Sequence, residues 1–452
     1  DLPKEEDFWH TAEQRVIDAL RYYAEMAASD TYQRRLFAAD AARGFAFIDL
    51  CRKRYDVALM NPPFGLPTAS VEEYAKERFE NTWQDVYASF YERTLGFTRA
   101  DIGYVGAITP KSFYHAKGFR GLRKLLKAAG PLSYSVDIGG GVLDAAVEVC
   151  FSIVQSRQSS AELIALFCNL VSSEKTLLAD KVLGFVSLVK SGVASREIVP
   201  VAVVKDVGLP NDMLPYRFPA ELLKLLQSSP SFEASSGSSV VGITTFDNDR
   251  FIRLSWETTE SSRHAKEWLP VAMGGGWDPF YAEFNLVVKW AHEAAEMRAN
   301  EIRRYGTTAR TMQSQRFWYR PGLTFSKIST LGFSTQPFPA GSIFTSVGFC
   351  IFADRFDNWT WLGYFNSKPV CCLMSLFSAD RHWHSNSVAF LPVPAGMSSN
   401  VAKISKEAFA ISVELLGQSS ETAPEFVRCD IELDVDEKAD VYQKLTQDLS
   451  SE

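Results

Sequence analysis

The chain has 452 residues, of which 46% are apolar and 22% charged. That is too long for one ordinary domain and points to two or three, each with its own core. A net charge of −7 excludes a uniformly basic nucleic-acid binder, and seven scattered cysteines without a CxxC pair exclude a disulfide or structural zinc framework.

No apolar run approaches the ~20 residues of a membrane span. The opening "DLPKEEDFWH" has neither an initiator Met nor a basic n-region. It carries no readable signal peptide and reads as a piece of a longer chain. With cysteines that look reduced, the expected location is the cytoplasm, with no membrane partner.

In chain order, Phe8, Trp9, Val16, Ile17, Leu20, Tyr23 and Ala27 follow a 3.6-residue period and predict an amphipathic helix over residues 5–28. Two short strands follow, "RLFAAD" and "DVALMN". Next come a helical stretch near 83–98, the strand "GYVGAIT", a basic helix over 117–129, and the strands "YSVDIGGG" and "VEVCFSIVQ". This alternation predicts a mostly parallel α/β sheet over residues 1–225.

The Ser-rich run "SSPSFEASSGSS" reads as a linker. Beyond it, short β-like pieces such as "RFIRLSW" and "SIFTSVGFCIFA" predict a second, α+β domain over 226–400. An acidic helical tail is expected over 401–452.

The stretch "DVALMNPPFG" carries the sharpest signal. Two consecutive prolines end a strand at once, because neither donates to a ladder and each restricts its predecessor. Asn61, Pro62, Pro63 and Phe64 therefore form a stiff loop beyond the carboxyl end of the strand, where open α/β sheets bind ligands. An amide beside an aromatic ring suits a flat, amino-bearing base. Adenine N6 is a weak nucleophile because its lone pair is delocalised into the ring. The Asn61 side-chain oxygen and the Pro62 carbonyl would draw its two protons and favour a nitrogen that attacks an activated methyl. Phe64 would stack on the base, which must first leave the duplex.

Charge is distributed unevenly. Residues 111–127 hold six Lys or Arg and no acid, and 298–327 hold seven with one Glu. Lys111, Arg120, Arg123 and Lys124 in the first stretch, and Arg304, Arg316 and Arg320 in the second, are candidate contacts to a nucleic-acid backbone. A solvated surface accounts for them equally well, and Phe317, Trp318 and Tyr319 read first as core. His382 and His384 lack a Cys or acidic residue at ligand spacing, so no metal site is expected.

"YDVALMNPPFG" resembles the catalytic motif of gamma-class N6-adenine DNA methyltransferases in its Asn-Pro-Pro-aromatic form. "RLFAADA" resembles the acidic-ended strand whose Asp, here Asp40, binds the adenine of S-adenosylmethionine. "GYVGAITPKSFY" and "VDIGGGVLDAAVEVCFSIV" resemble the next core segments. "WLPVAMGGGWDPFYAEFNLVVKW" and "WLGYFNSKP" resemble the target-recognition region of large bacterial enzymes of the type IIG restriction-modification and BREX- or DISARM-like phage-defence kinds.

The resemblance implies a Rossmann-like methyltransferase sheet, incomplete here, followed by a target-recognition domain. It also implies S-adenosylmethionine as cofactor, double-stranded DNA as substrate, and possible association with other defence subunits. The family's glycine-rich cofactor loop is absent upstream of Asp40, which implies that the main cofactor loop lies on residues not in this chain. "DIGGG" fills that role poorly, because it runs on into a strand where a nucleotide loop should open a helix. Two alternatives stay open: a non-catalytic DNA-sensing subunit, and a methyltransferase acting on RNA or on a protein glutamine.

Overall fold

The computed structural model describes residues 50–128, 132–142, 147–156, 163–171, 178–191, 198–203, 208–216, 218–309, 311–378, 382–419 and 443–449, with isolated positions before 50 and Asp440. The chain divides into two compact units, Asp1–Lys205 and Asp206–Glu452.

The first unit is built on a six-stranded sheet of β1 (Val57–Met60), β2 (Gly103–Pro110), β3 (Leu132–Gly139), β4 (Val149–Ser156), β5 (Leu163–Asn169) and β6 (Ile198–Val203), in the order β1-β2-β4-β3-β5-β6. β1 runs parallel to β2 and β3 parallel to β5, while β4 is antiparallel to both β2 and β3 and β6 antiparallel to β5. The sheet is thus mixed where the alternation predicted mostly parallel pairing. "YSVDIGGG" and "VEVCFSIVQ" pair antiparallel, with no helix among the described residues between them, so β4 reverses direction. The carboxyl ends of β1, β2, β3 and β5 share one edge.

Helices α1 (Glu72–Arg78), α2 (Val86–Leu95), α3 (Arg120–Ala128) and α4 (Leu178–Ser191) complete the described part of this unit. α2 starts where the Asp85 side chain accepts from Tyr87 N and stops at Gly96. Its Tyr87, Ala88, Tyr91 and Leu95 are all buried, one face at helical spacing. The Tyr91 hydroxyl hydrogen-bonds the Ser152 hydroxyl of β4. β1, by contrast, leaves Val57 57% and Leu59 82% exposed, so one face of this strand has no cover among the described residues.

Of the expected strand "RLFAAD", only Asp40 lies among the described residues, and it is helical. Asp40, Arg43, Gly44, Phe47, Ile48 and Leu50 are helical. Asp40 pairs with Arg43 one turn on, at 3.7 Å. The amphipathic helix expected over 5–28 lies outside the described residues, apart from the helical Arg15, Asp18, Ala19 and Tyr22.

The second unit holds two four-stranded sheets. One contains β8 (Ile252–Leu254), β9 (Trp268–Ala272), β10 (Leu286–Lys289) and β13 (Ile343–Phe344); the other contains β7 (Ser238–Val240), β11 (Gly322–Ser326), β12 (Gln336–Phe338) and β14 (Gly348–Phe352). Around them pack α5 (Ala220–Ser228), α6 (Ala291–Tyr305), α7 (Asn358–Asn366), α8 (Lys368–Phe377) and α9 (Ser399–Ser419).

Two expectations are corrected here. The Ser-rich run is not a linker, since Phe232 within it is wholly buried against Trp361 and Phe365 and Ser238 begins β7. The helical tail expected over 401–452 is not a region apart where it is described, because Val401 and Ala408 of α9, and Leu449, join the same core. In both places apolar residues at a few positions outweigh the polar composition around them. Among the described residues, no helix is long and apolar enough to cross a membrane.

Candidate active site

β1 delivers Met60 to the sheet edge, and the Asn-Pro-Pro-Phe loop begins at the next residue. Asn61 is exposed, Pro62 buried, Pro63 exposed and Phe64 half-buried. Thr94 of α2 donates to the Met60 sulfur at 3.5 Å, which ties the end of the strand to the helix beneath it. A concavity of about 470 Å³ runs over β1, β2 and β4, with Leu59, Ile108, Phe151 and Ile153 in its wall and Asn61 among its lining residues.

Phe64 packs onto the apolar cluster around Val136, Ile138 and Val149. It also meets the ring of Tyr87 edge-on, with centroids 6.2 Å apart at 84°. Gly65, at φ +116°, turns the chain away in a conformation that L side chains rarely adopt. Its N–H donates to Asp85 Oδ1 at 3.1 Å, and its carbonyl accepts from Val86 N at 2.9 Å. Burial pushes the Asp85 carboxyl above its ordinary range, and the N–H groups of Gly65 and Tyr87 offset part of that rise.

The loop after β2 lies at the same sheet edge and is fixed by buried charges. Lys111 Nζ lies 3.0 Å from Asp137 Oδ2 and 2.6 Å from Glu148 Oε2. Asp137 Oδ1 accepts from Gly139 N at 3.1 Å, so one ammonium joins the ends of β2 and β3 to the start of β4. Arg123 is wholly buried and donates to the carbonyls of Phe113 and Ala116 at 2.8 and 2.9 Å.

Two of the four basic candidates in this stretch are thereby corrected. Lys111 and Arg123 brace loops from inside, and neither offers its charge to a phosphate. Arg120 and Lys124 are exposed on α3 and keep the accessibility such a contact needs. Counting charges along the chain does not distinguish these cases, because Arg123 lies on the side of α3 that also buries Leu122 and Leu126.

In the second unit Arg304 is exposed on α6. Arg316 lies over the Phe317 ring at 4.7 Å, and Arg320 over Phe317 and Phe352 at 5.6 and 5.7 Å. Phe317 stacks on Phe352 at 4.8 Å and 16°, and Arg320 also pairs with Asp354 at 3.3 Å. Phe317 and Trp318 are core, whereas Tyr319 is 44% exposed. Arg310 lies outside the described residues. Among the described residues no group of His, Cys, Asp or Glu could hold a metal ion.

The described residues do not fit the adenosyl part of S-adenosylmethionine. Asp40 is helical and exposed rather than at a strand end. Gly139–Gly141 lie at the end of a strand that pairs antiparallel with β4, and Asp137 beside them is taken by Lys111. Asn61, by contrast, lines the concavity over β1, β2 and β4.

Asp85 and Tyr87 were missed in the sequence. The signal was present, since an Asp just before a helical stretch is a common N-cap. What cannot be read locally is that the cap also reaches back to Gly65.

Residues 4–141 match the family model described as Eco57I restriction-modification methylase. Over 384 residues the chain is 23% identical to the adenine-specific methyltransferase PglX of Lacticaseibacillus casei (strain Zhang), covering 80% of this chain and 31% of that protein. It is 20% identical over 380 residues to the adenine-specific methyltransferase BrxX of Escherichia coli O9:H4 (strain HS), covering 80% and 29%. The chain therefore spans about a third of the length of these relatives.

Among solved structures it is similar to the ATP-dependent type ISP restriction-modification enzyme LlaBIII bound to DNA, with a TM-score of 0.50, 13% identity, and coverage of 87% of this chain and 32% of that one. A nuclease-deletion mutant of the type ISP enzyme LlaGI, in complex with a DNA substrate mimic, gives a TM-score of 0.51 at 10% identity, covering 85% and 44%. The fold of this chain, a mixed α/β sheet followed by a second α+β unit, is thus similar to that of these two enzymes.

Proposed function

We propose that the protein of which this chain is part methylates adenine N6 in double-stranded DNA, in restriction-modification or phage defence. The observation that carries this reading is the loop after β1, where an exposed Asn61 and a half-buried Phe64 flank two prolines at the carboxyl edge of the sheet.

The target adenine leaves the duplex and lays its face on Phe64. Asn61 Oδ1 and the Pro62 carbonyl accept the two N6 protons. The nitrogen lone pair is thereby turned away from the ring and toward the incoming methyl. Prolines suit this role, because a loop without N–H groups at positions 62 and 63 has few alternative backbone pairings. S-adenosylmethionine is the methyl donor on this reading, and this chain's described residues act on the base.

The second unit reads the target. Arg304, Arg316 and Arg320, with Arg120 and Lys124 on the first unit, contact the DNA backbone or base edges. Support comes from their exposure and from the names of the relatives. Mass spectrometry of DNA from cells that express the intact protein tests the reading: N6-methyladenine is expected, and its absence overturns it.

A further inference from the structure

We propose that Asp85 is the positioning residue of the Asn-Pro-Pro-Phe loop, a single carboxylate oxygen holding both the loop and the helix that sets the stacking ring. The inference rests on the methylation reading above and concerns only how the acceptors and the ring are held in place.

Pro62 and Pro63 have no N–H, so the loop can be pinned by backbone donors only after them. Gly65 is that pin. Its N–H reaches Asp85 Oδ1 at 3.1 Å, and its carbonyl takes Val86 N at 2.9 Å, so both of its polar groups are held by consecutive residues. The same Oδ1 accepts from Tyr87 N at 3.2 Å and starts α2. Capping a helix needs only that second bond. The first spans twenty residues and serves the loop.

Tyr87 then holds Phe64 from the side. It is fully buried, tilted against Phe119 at 5.0 Å, with its hydroxyl 3.4 Å from Ser112 Oγ. Asp85 thus sets the backbone after Phe64 and the register of the ring that Phe64 leans on. Asn61 lies four residues upstream across the two stiff prolines, so its position follows. A shift of about 1 Å in such a site costs on the order of a hundredfold in rate.

The test compares the intact wild-type protein with Asp85→Ser and Asp85→Asn. Serine still caps a helix, but its hydroxyl is one atom shorter and falls short of Gly65. Asparagine keeps an oxygen in the carboxylate's place. Methyl transfer from tritiated S-adenosylmethionine to plasmid DNA gives kcat and the KM for DNA. A duplex with 2-aminopurine at the methylated adenine reports stacking of the extruded base by fluorescence.

Asp85→Ser is expected to lose about a hundredfold in kcat, with an unchanged KM and melting temperature and altered fluorescence of the bound 2-aminopurine. Asp85→Asn is expected to retain most of the wild-type kcat and the wild-type fluorescence. Wild-type kcat in Asp85→Ser, equal losses in both variants, or a loss that tracks a lowered melting temperature would each overturn the assignment. A wild type that makes no methyladenine would remove the reaction itself, and this inference with it.

Discussion

In the first unit Asn61 and Phe64 stand at the end of a four-residue strand, on an edge held by a few polar contacts: Asp85 to Gly65, Lys111 to Asp137 and Glu148, Arg123 to two carbonyls. In the second unit Arg316 and Arg320 rest on Phe317 and Phe352, which belong to an aromatic core. The first design places geometry in hydrogen bonds and ion pairs, where one lost partner leaves a buried charge or donor unsatisfied. The second places charge on a hydrophobic platform, whose shape survives loss of the charge. Substitutions in the first unit should therefore disturb rate or local order, and those at the arginines should disturb binding alone.

The largest expected effect tests the second unit's other core, around Trp361. Trp361 is 1% exposed and packed among Phe232, Phe356 and Phe365. Trp361→Ala should cost the second unit about 4 kcal/mol, read by denaturant unfolding, and a loss below 1 kcal/mol would show that this core repacks freely. Lys111→Met should cost the first unit about 3 kcal/mol, because Asp137 stays buried without its ammonium. If the variant melts like wild type, the ion pair is not what braces the sheet edge.

A smaller effect separates the units by pH. Glu301 on α6 is 2% exposed, and among the described residues neither of its oxygens has a hydrogen-bond partner. Burial raises its carboxyl to about 7, with Arg298 pulling the other way. A carboxyl raised on folding favours the folded state below its ordinary range, and that advantage is lost as pH rises through about 7. Glu301→Gln should melt roughly 2–4 °C higher than wild type at pH 8 and match it near pH 4. A gain at pH 4 and none at pH 8 would reverse the assignment.

The smallest effect is at the arginines. Arg316→Ala and Arg320→Ala should each lower the salt dependence of DNA binding by about one phosphate contact, with melting unchanged. Titration of a labelled duplex at several salt concentrations measures it, and a changed melting point with an unchanged salt slope would make these residues structural.

What was legible in the sequence follows the same division. The Asn-Pro-Pro-Phe loop, α2, α3 and the strands β2, β3 and β4 were readable, though not the antiparallel pairing of β4, because proline chemistry and apolar periodicity act over a few residues. Asp40 was read as a strand end and is helical, because a short apolar run does not by itself distinguish strand from helix. Lys111 and Arg123 were misjudged because burial is a property of three dimensions: a lysine among lysines looks solvated until its two acids arrive from residues 26 and 37 positions away. The Ser-rich run was misread because Phe232 finds its partners more than a hundred residues downstream.

The central claim is that Asn61, on its loop, accepts a hydrogen bond from the N6–H of adenine. Its most direct test is N6-methyladenine, by mass spectrometry, in DNA from cells that express either the intact protein or its Asn61→Ala variant. Asn61 is exposed, so the variant should fold as wild type does. Methyladenine present with the wild type and absent with the variant is the expected result. Equal methylation by both would contradict the account.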